Sequence, residues 1–232
     1  MPAQKPHSAL YIGNSFFYYN NGVNHHVAAL LADAMPDHKW RSTLVAISGA
    51  GLDWHDVESY FRPGAIGSFS FDPANNVVFN KLDRLFEVAL MMDASQGPIH
   101  PRLRPAFFEN CRRHCATIRE RGAEPILVSS WAYADQPEMT PALEAAYAEA
   151  GQENGCRVVS VGAAFARALA ARPGLTLHAP DKRHPSLEGT YLMANRLYLA
   201  LFGEPAVELS YSGGLDGETA GFLRGVARNA AP

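Results

Sequence analysis

The sequence predicts an α/β fold in which a parallel sheet carries helices on both faces. Short apolar runs alternate with longer segments of helical periodicity along the whole chain, and the polar residues with chemical capacity fall just after the apolar runs. Alternation of this kind gives parallel strands joined by crossover helices. Residues that follow the strands of such a sheet gather on one rim, where ligands bind.

The elements follow in order. Ser8 to Ile12 is a strand that runs into a turn at Gly13. Gly22 to Met35 is a helix with Val23, Val27, Leu30, Leu31 and Ala34 at helical spacing, stopped by Pro36. Thr43 to Ile47 is the second strand, Ser48 to Gly51 a turn, and Asp53 to Tyr60 a short helix. A stretch rich in Gly, Ser and Pro then runs to Pro73 and is expected to cross the surface. Phe86 to Met92 is a buried strand, Arg104 to Arg121 a helix, and Glu124 to Ser130 a strand. Ala142 to Asn154 is helical, Arg157 to Val161 a strand, Ala163 to Ala171 a helix, and Ser186 to Phe202 the last helix of the alternation. A tail from 206 to 232 carries one more helix, Leu215 to Asn229, whose stripe of Phe222, Val226 and alanines fits either this fold or another subunit. No internal repeat is present.

Composition bounds the function. At 232 residues, 47% hydrophobic and 19% charged, the chain fits one globular domain spanning 1–232. A net charge of −3 with scattered Lys and Arg gives no nucleic-acid footprint. No run approaches a membrane span, and Met1 to Ala9 is too short and polar for a signal peptide. A cytoplasmic protein is expected, or an exported one if a leader has been removed. Three cysteines are too few for a disulfide framework. A metal site on Cys111, His114 and Cys115 lacks a second ligand pair, so buried thiols are expected and no cofactor.

Ser15, Asp181 and His184 carry the chemistry. A serine hydroxyl is a weak nucleophile at its free pKa and needs a base within reach, oriented by a third group. Ser15 follows the first strand in Gly13-Asn14-Ser15, while Asp181 and His184 stand far downstream in Asp-Lys-Arg-His-Pro. His184 is the expected base and then acid, and Asp181 is expected to fix its tautomer if the segment between Pro180 and Pro185 turns back on itself. The bland alternatives are a serine that caps the first helical turn and a surface histidine beside a capping aspartate.

Three blocks carry a family resemblance: Ile12-Gly13-Asn14-Ser15-Phe16, Ser48-Gly49-Ala50-Gly51, and Asp181-Lys182-Arg183-His184-Pro185. In that order the chain resembles the SGNH/GDSL-type hydrolases. Each block is short, and only their conjunction is specific. The Gly-Asn-Ser form, with tryptophans in Asp53-Trp54-His55 and Ser130-Trp131-Ala132, is more like the carbohydrate-esterase-like branch than the lipases. The resemblance implies a flavodoxin-like three-layer α/β/α sandwich, a catalytic Ser15, Asp181 and His184, and an oxyanion hole that includes the Ser15 amide.

The Gly49 amide is expected as a second oxyanion donor, with Gly51 competing for the place. The family draws a third donor from an Asn side chain, or a Gln in some relatives, after the third strand. Here that place reads Met91-Met92-Asp93-Ala94-Ser95-Gln96, which departs from the pattern because a carboxylate opposes an oxyanion. Gln96 is the expected substitute, with Ser95 behind it. Trp54, His55, Trp131 and Tyr133 offer aromatic faces for a sugar or acyl group, although core packing accounts for each singly; Trp131 is the substrate-binding candidate.

The expected function is therefore a metal-independent esterase or deacetylase on a small-molecule or carbohydrate ester, with no nucleic-acid or membrane partner and with oligomeric state open. The missing asparagine after the third strand motivates a second reading, a non-catalytic carbohydrate-binding or interaction protein. A metal-dependent phosphatase ranks last, because no His-Asp ligand cluster of that type is visible.

Overall fold

The computed structural model describes residues 5–66, 68–79, 82, 84–205 and 207–229. Its centre is strand β1 (Ser8–Gly13), six residues that are all buried. Successive side chains on a strand point to opposite faces, so Ala9 and Tyr11 enter one core while Leu10 and Ile12 enter another. Such an unbroken apolar run suits a strand with neighbours on both edges and helices on both faces.

The chain continues through α1 (Ser15–Tyr18), α2 (Val23–Ala34), β2 (Arg41–Ala46), a 3-10 turn (Leu52–Trp54), α3 (Val57–Tyr60), β3 (Phe69–Phe71), β4 (Val77–Phe79) and β5 (Val88–Met91). It then forms α4 (Arg104–Glu120), β6 (Glu124–Val128), α5 (Met139–Asn154), β7 (Arg157–Val159), α6 (Val161–Ala171), α7 (Leu187–Phe202) and α8 (Gly217–Asn229). The main sheet has the order β2-β1-β5-β6-β7, all parallel. Helices α2, α6, α7 and α8 cover the Tyr11 face, and α3, α4 and α5 cover the Leu10 face. This is the expected three-layer α/β/α sandwich. After β2 the chain crosses back over β1 to β5, so the carboxyl ends of β1 and β5 open a crevice at the point where strand order reverses.

Local chemistry moved several boundaries. Asp56 accepts a hydrogen bond from the Ser59 amide and starts α3, which divides the expected helix over 53–60 into a 3-10 turn and one helical turn. The strand expected to Val161 ends at Val159, because the Ser129 hydroxyl accepts from the amides of Val161 and Gly162 and draws the chain into α6. The surface stretch that runs to Pro73 enters a hairpin, β3 against β4, whose turn holds Pro73 and which the sequence reading missed. Asp72 closes its turn by accepting from the amides of Ala74 and Asn76.

The described part of the tail belongs to this chain's own core. Asp33 on α2 accepts from the amides of Ser210 and Tyr211, and Ala220, Leu223, Val226 and Ala227 of α8 pack into the Tyr11-side core. Ala206, residues 230–232, and the first four residues of the Met1 to Ala9 segment lie outside the described residues. Among the described residues no helix is long and apolar enough to cross a membrane.

Candidate active site

Asn14 organises the start of the site. Its side-chain oxygen accepts from the Phe16 amide at 3.1 Å and caps α1, while its Nδ2 donates to the carbonyls of Ala50 at 3.0 Å and Asp93 at 3.1 Å. One side chain therefore ties together the loops that follow β1, β2 and β5. Because Asn14 supplies the cap, Ser15 at the first position of α1 keeps its hydroxyl for another partner. That partner is His184 Nε2, 2.8 Å from Ser15 Oγ.

The His184 loop is built to hold that contact. Asp181 Oδ1 accepts from the amides of Arg183 at 2.9 Å and His184 at 3.0 Å, turning the chain back so that Oδ2 meets His184 Nδ1. Lys182 takes the left-handed conformation that this turn needs, with φ of 68°. The Ala179 amide donates to the His184 carbonyl at 2.8 Å, and the Ala134 amide donates to the Lys182 carbonyl at 2.9 Å. Ser186 then caps α7 by accepting from the Gly189 amide. Ser15, His184 and Asp181 thus form one hydrogen-bonded line. The Nδ1 contact with a carboxylate fixes a proton on Nδ1, leaving Nε2 as acceptor for the serine hydroxyl. Burial acts to raise the Asp181 carboxyl, but the hydrogen bonds from the His184 ring and from the Arg183 and His184 amides outweigh it and hold it at about 2. The carboxylate is ionised at any working pH.

Aromatic rings clamp the His184 imidazole. Tyr19 stacks on the His184 ring, and Phe16 presents its edge at 5.5 Å. Asn20 donates to the Pro185 carbonyl at 2.9 Å and to the Thr190 hydroxyl at 2.8 Å, linking the segment after Ser15 to the start of α7. Behind Gly13, His55 donates from Nε2 to the Gly13 carbonyl at 3.0 Å while Nδ1 accepts from the Tyr60 hydroxyl. Burial lowers the His55 pKa and keeps the ring neutral for that arrangement. Asn14, Tyr19 and Asn20 were given no site role of their own from the sequence, and His55 was weighed there only as an aromatic face for substrate, whereas its ring bonds to Gly13 and Tyr60.

The other expected residues divide. Gly49 sits exposed at the tip of the turn after β2 with φ of +74°, a conformation that glycine adopts without strain. Gln96 is half-buried, with its Nε2 4.0 Å from the Met139 sulfur. Ser95 shares a 2.6 Å hydrogen bond with the Tyr133 hydroxyl. Asp93 is turned inward: Oδ1 accepts from the Leu52 amide at 2.6 Å, and no Cβ fits at Gly97 against Oδ2. Burial raises this carboxyl to about 6 against the lowering effect of the Leu52 amide. Trp131 requires a correction as a substrate residue, because it is wholly buried. Its ring stacks between Phe16 at 4.4 Å and Phe165 at 4.5 Å, and its Nε1 donates to the Arg183 carbonyl at 2.9 Å. Trp54, by contrast, is 60% exposed. His114 Nε2 donates to the Leu52 carbonyl at 2.9 Å. Among the described residues no group of three His, Cys, Asp or Glu side chains converges on one point.

No protein-family model and no curated protein matches the sequence. Solved structures do match. A DUF4886 family protein from Bacteroides uniformis superposes with a TM-score of 0.66 at 19% identity, over 96% of this chain and 93% of that one. A protein from Slackia heliotrinireducens, provisionally assigned to the SGNH hydrolases, gives 0.60 at 24% identity over 82% and 96%. A catalytic mutant of an acetylxylan esterase from Geobacillus stearothermophilus gives 0.62 at 15% identity over 87% and 97%. The chain has the fold of the SGNH/GDSL hydrolases.

Proposed function

We propose that the protein is a serine ester hydrolase that turns over through an acyl-enzyme on Ser15. The 2.8 Å contact between Ser15 Oγ and His184 Nε2, with Asp181 behind the ring, carries this reading. A fold shared with an acetylxylan esterase supports it and favours an O-acylated carbohydrate as substrate. Trp54 is the exposed aromatic on the loop after β2, and an aromatic face of this kind packs well against a pyranose ring.

Ser15 Oγ attacks the ester carbonyl carbon as His184 Nε2 takes its proton. The carbonyl oxygen becomes anionic and is received by the amides of Ser15 and Gly49; one such donor is worth roughly 2.7–4 kcal/mol in the transition state. Gln96 completes the hole by swinging its amide away from Met139. His184 then passes the proton to the departing sugar oxygen, the C–O bond breaks, and the acyl group remains on Ser15. Water attacks with His184 again as base, releasing the acid and restoring the serine. Asp181 stays ionised throughout and holds the ring in one tautomer.

Incubation with a short-chain activated ester and with a serine-reactive phosphonate tests the reading, with mass spectrometry of the adduct. One adduct on Ser15 and turnover, both lost in Ser15→Ala, are expected. A folded protein that takes up no phosphonate would overturn the serine mechanism and leave the non-catalytic binding role, which the absent asparagine after β5 favours.

A further inference from the structure

Cys115 and Cys156 sit outside the catalytic rim, and the ester chemistry uses neither. Cys115 lies on the buried face of α4, and Cys156 lies in the turn between α5 and β7. Their sulfurs are 3.8 Å apart in a thiol–thiol hydrogen bond, across 41 residues of chain. Cys156 is partly exposed and Cys115 is buried, so a reagent from solvent meets Cys156 first. The Cys115 S–H donates to the Cys156 sulfur, and the Arg119 guanidinium lies beside it, bonded to the carbonyls of Asn154 and Gly155. Both features favour the Cys156 thiolate, the reactive form of a thiol. Burial pushes the Cys111 thiol, one helical turn from Cys115, well up; the Cys115 thiol is raised as well, first by its hydrogen bond to Cys156, and that hold is lost once Cys156 is oxidised.

We propose that Cys156 and Cys115 are a peroxide-oxidisable pair that closes to an intramolecular disulfide. The Cys156 thiolate attacks the O–O bond of a hydroperoxide: an S–O bond forms, the O–O bond breaks, and the departing oxygen leaves as an alcohol or as water after taking a proton. The Cys115 thiol then attacks the resulting sulfenic sulfur. The S–S bond forms, the S–OH bond breaks, and the hydroxide leaves as water with the Cys115 proton. Both sulfurs are oxidised by one electron each, and the peroxide is reduced by two. A disulfide needs the sulfurs about 2 Å apart. The required approach falls on Cys156, whose turn follows Gly155 in the left-handed conformation at the end of α5, while α4 stays in place. The bond links α4 to the sheet edge at β7 and closes a loop in the unfolded chain, which stabilises the fold.

Titration of thiols in the denatured full-length protein before and after mild hydrogen peroxide is the test, together with intact mass and melting temperature. Three thiols fall to one, the mass drops by two hydrogens, and melting rises by several degrees, with full reversal by dithiothreitol. Cys115→Ala stops at a sulfenic acid on Cys156 that dimedone traps, and Cys156→Ala leaves Cys115 unreacted. Three thiols remaining after peroxide, or Cys156 advancing to sulfinic acid while Cys115 stays free in the parent, would overturn the proposal. Because the readouts are sulfur chemistry and melting, its failure is separable from any failure of the Ser15 mechanism.

Discussion

Tyr19 lies flat against His184, with ring centroids 4.2 Å apart and planes 8° from parallel. The tyrosine ends the single helical turn that begins at Ser15, so the segment bearing Ser15 also bears the plate on which the His184 ring rests. Removing the plate frees the imidazole to tilt away from Ser15 Oγ. An aromatic pair of this kind is worth about 0.5–1.5 kcal/mol. Tyr19→Ala is therefore expected to lower kcat about 2- to 10-fold, while Tyr19→Phe stays near the parent. Equal kcat in the two variants, measured on an activated ester, would show that the ring has no positioning role.

Asp181 allows its electrostatic role to be separated from its structural one. Its Oδ1 holds the Arg183 and His184 amides, and its Oδ2 meets His184 Nδ1. Asp181→Asn keeps an oxygen for both amides but places an amide group where Nδ1–H needs an acceptor. The loop should hold while the ring takes the wrong tautomer, and losses near 10⁴-fold in kcat are typical of that defect. The folded pKa of about 2 lies below the ordinary 3.8, so whatever stability the ionised group adds is present above about pH 4 and is lost only as pH falls through 2. Kinetics and thermal melting at pH 7 together decide the matter: a large drop in melting temperature would assign the loss to loop collapse.

Asp93 has the opposite sign. Burial raises its folded pKa to about 6 from 3.8, so the folded state holds the proton more tightly than the unfolded state. Its favourable contribution is full below about pH 4 and is lost as pH rises through 6. A difference of about two units corresponds to roughly 3 kcal/mol. Asp93→Asn preserves an acceptor for the Leu52 amide and removes the titration. Denaturant unfolding from pH 4 to 7.5 should show the parent losing stability relative to the variant across that window. Parallel curves for the two proteins would mean that Asp93 does not titrate there.

The hydrogen-bonded line of Ser15, His184 and Asp181 was legible because its members are read from chain order: a Gly-Asn-Ser after the first strand and an Asp-x-x-His before the last helix of the alternation. The sheet was legible for a related reason, since apolar runs of strand length need only local periodicity to recognise. Asn14 and Asn20 were not, because their partners lie 36, 79, 165 and 170 residues away and are in part backbone carbonyls, which carry no sequence signature. The β3–β4 hairpin escaped for want of length, with three residues on each strand and apolar side chains left exposed where alternation normally buries one face. Trp131 was misplaced because a residue just after a strand reaches the ligand rim or the core according to how the loop turns, and the turn is decided by Phe16 and Phe165 far along the chain.

Trp131 also supplies a direct test of substrate platform against packing. It stacks on Phe16, the residue next to Ser15, and donates to the carbonyl of Arg183, the residue next to His184. Trp131→Phe keeps an aromatic ring between Phe16 and Phe165, leaves a gap where the indole was larger, and removes the only donor that Trp131 offers to that carbonyl. The cost is expected at about 1–3 kcal/mol of stability. Catalysis should fall through kcat, because the contact between Ser15 and His184 loosens, while KM stays close to the parent value. A residue that bound substrate would give the reverse pattern, a raised KM with stability unchanged. Steady-state kinetics beside denaturant unfolding distinguish the two, and the buried stack predicts the first.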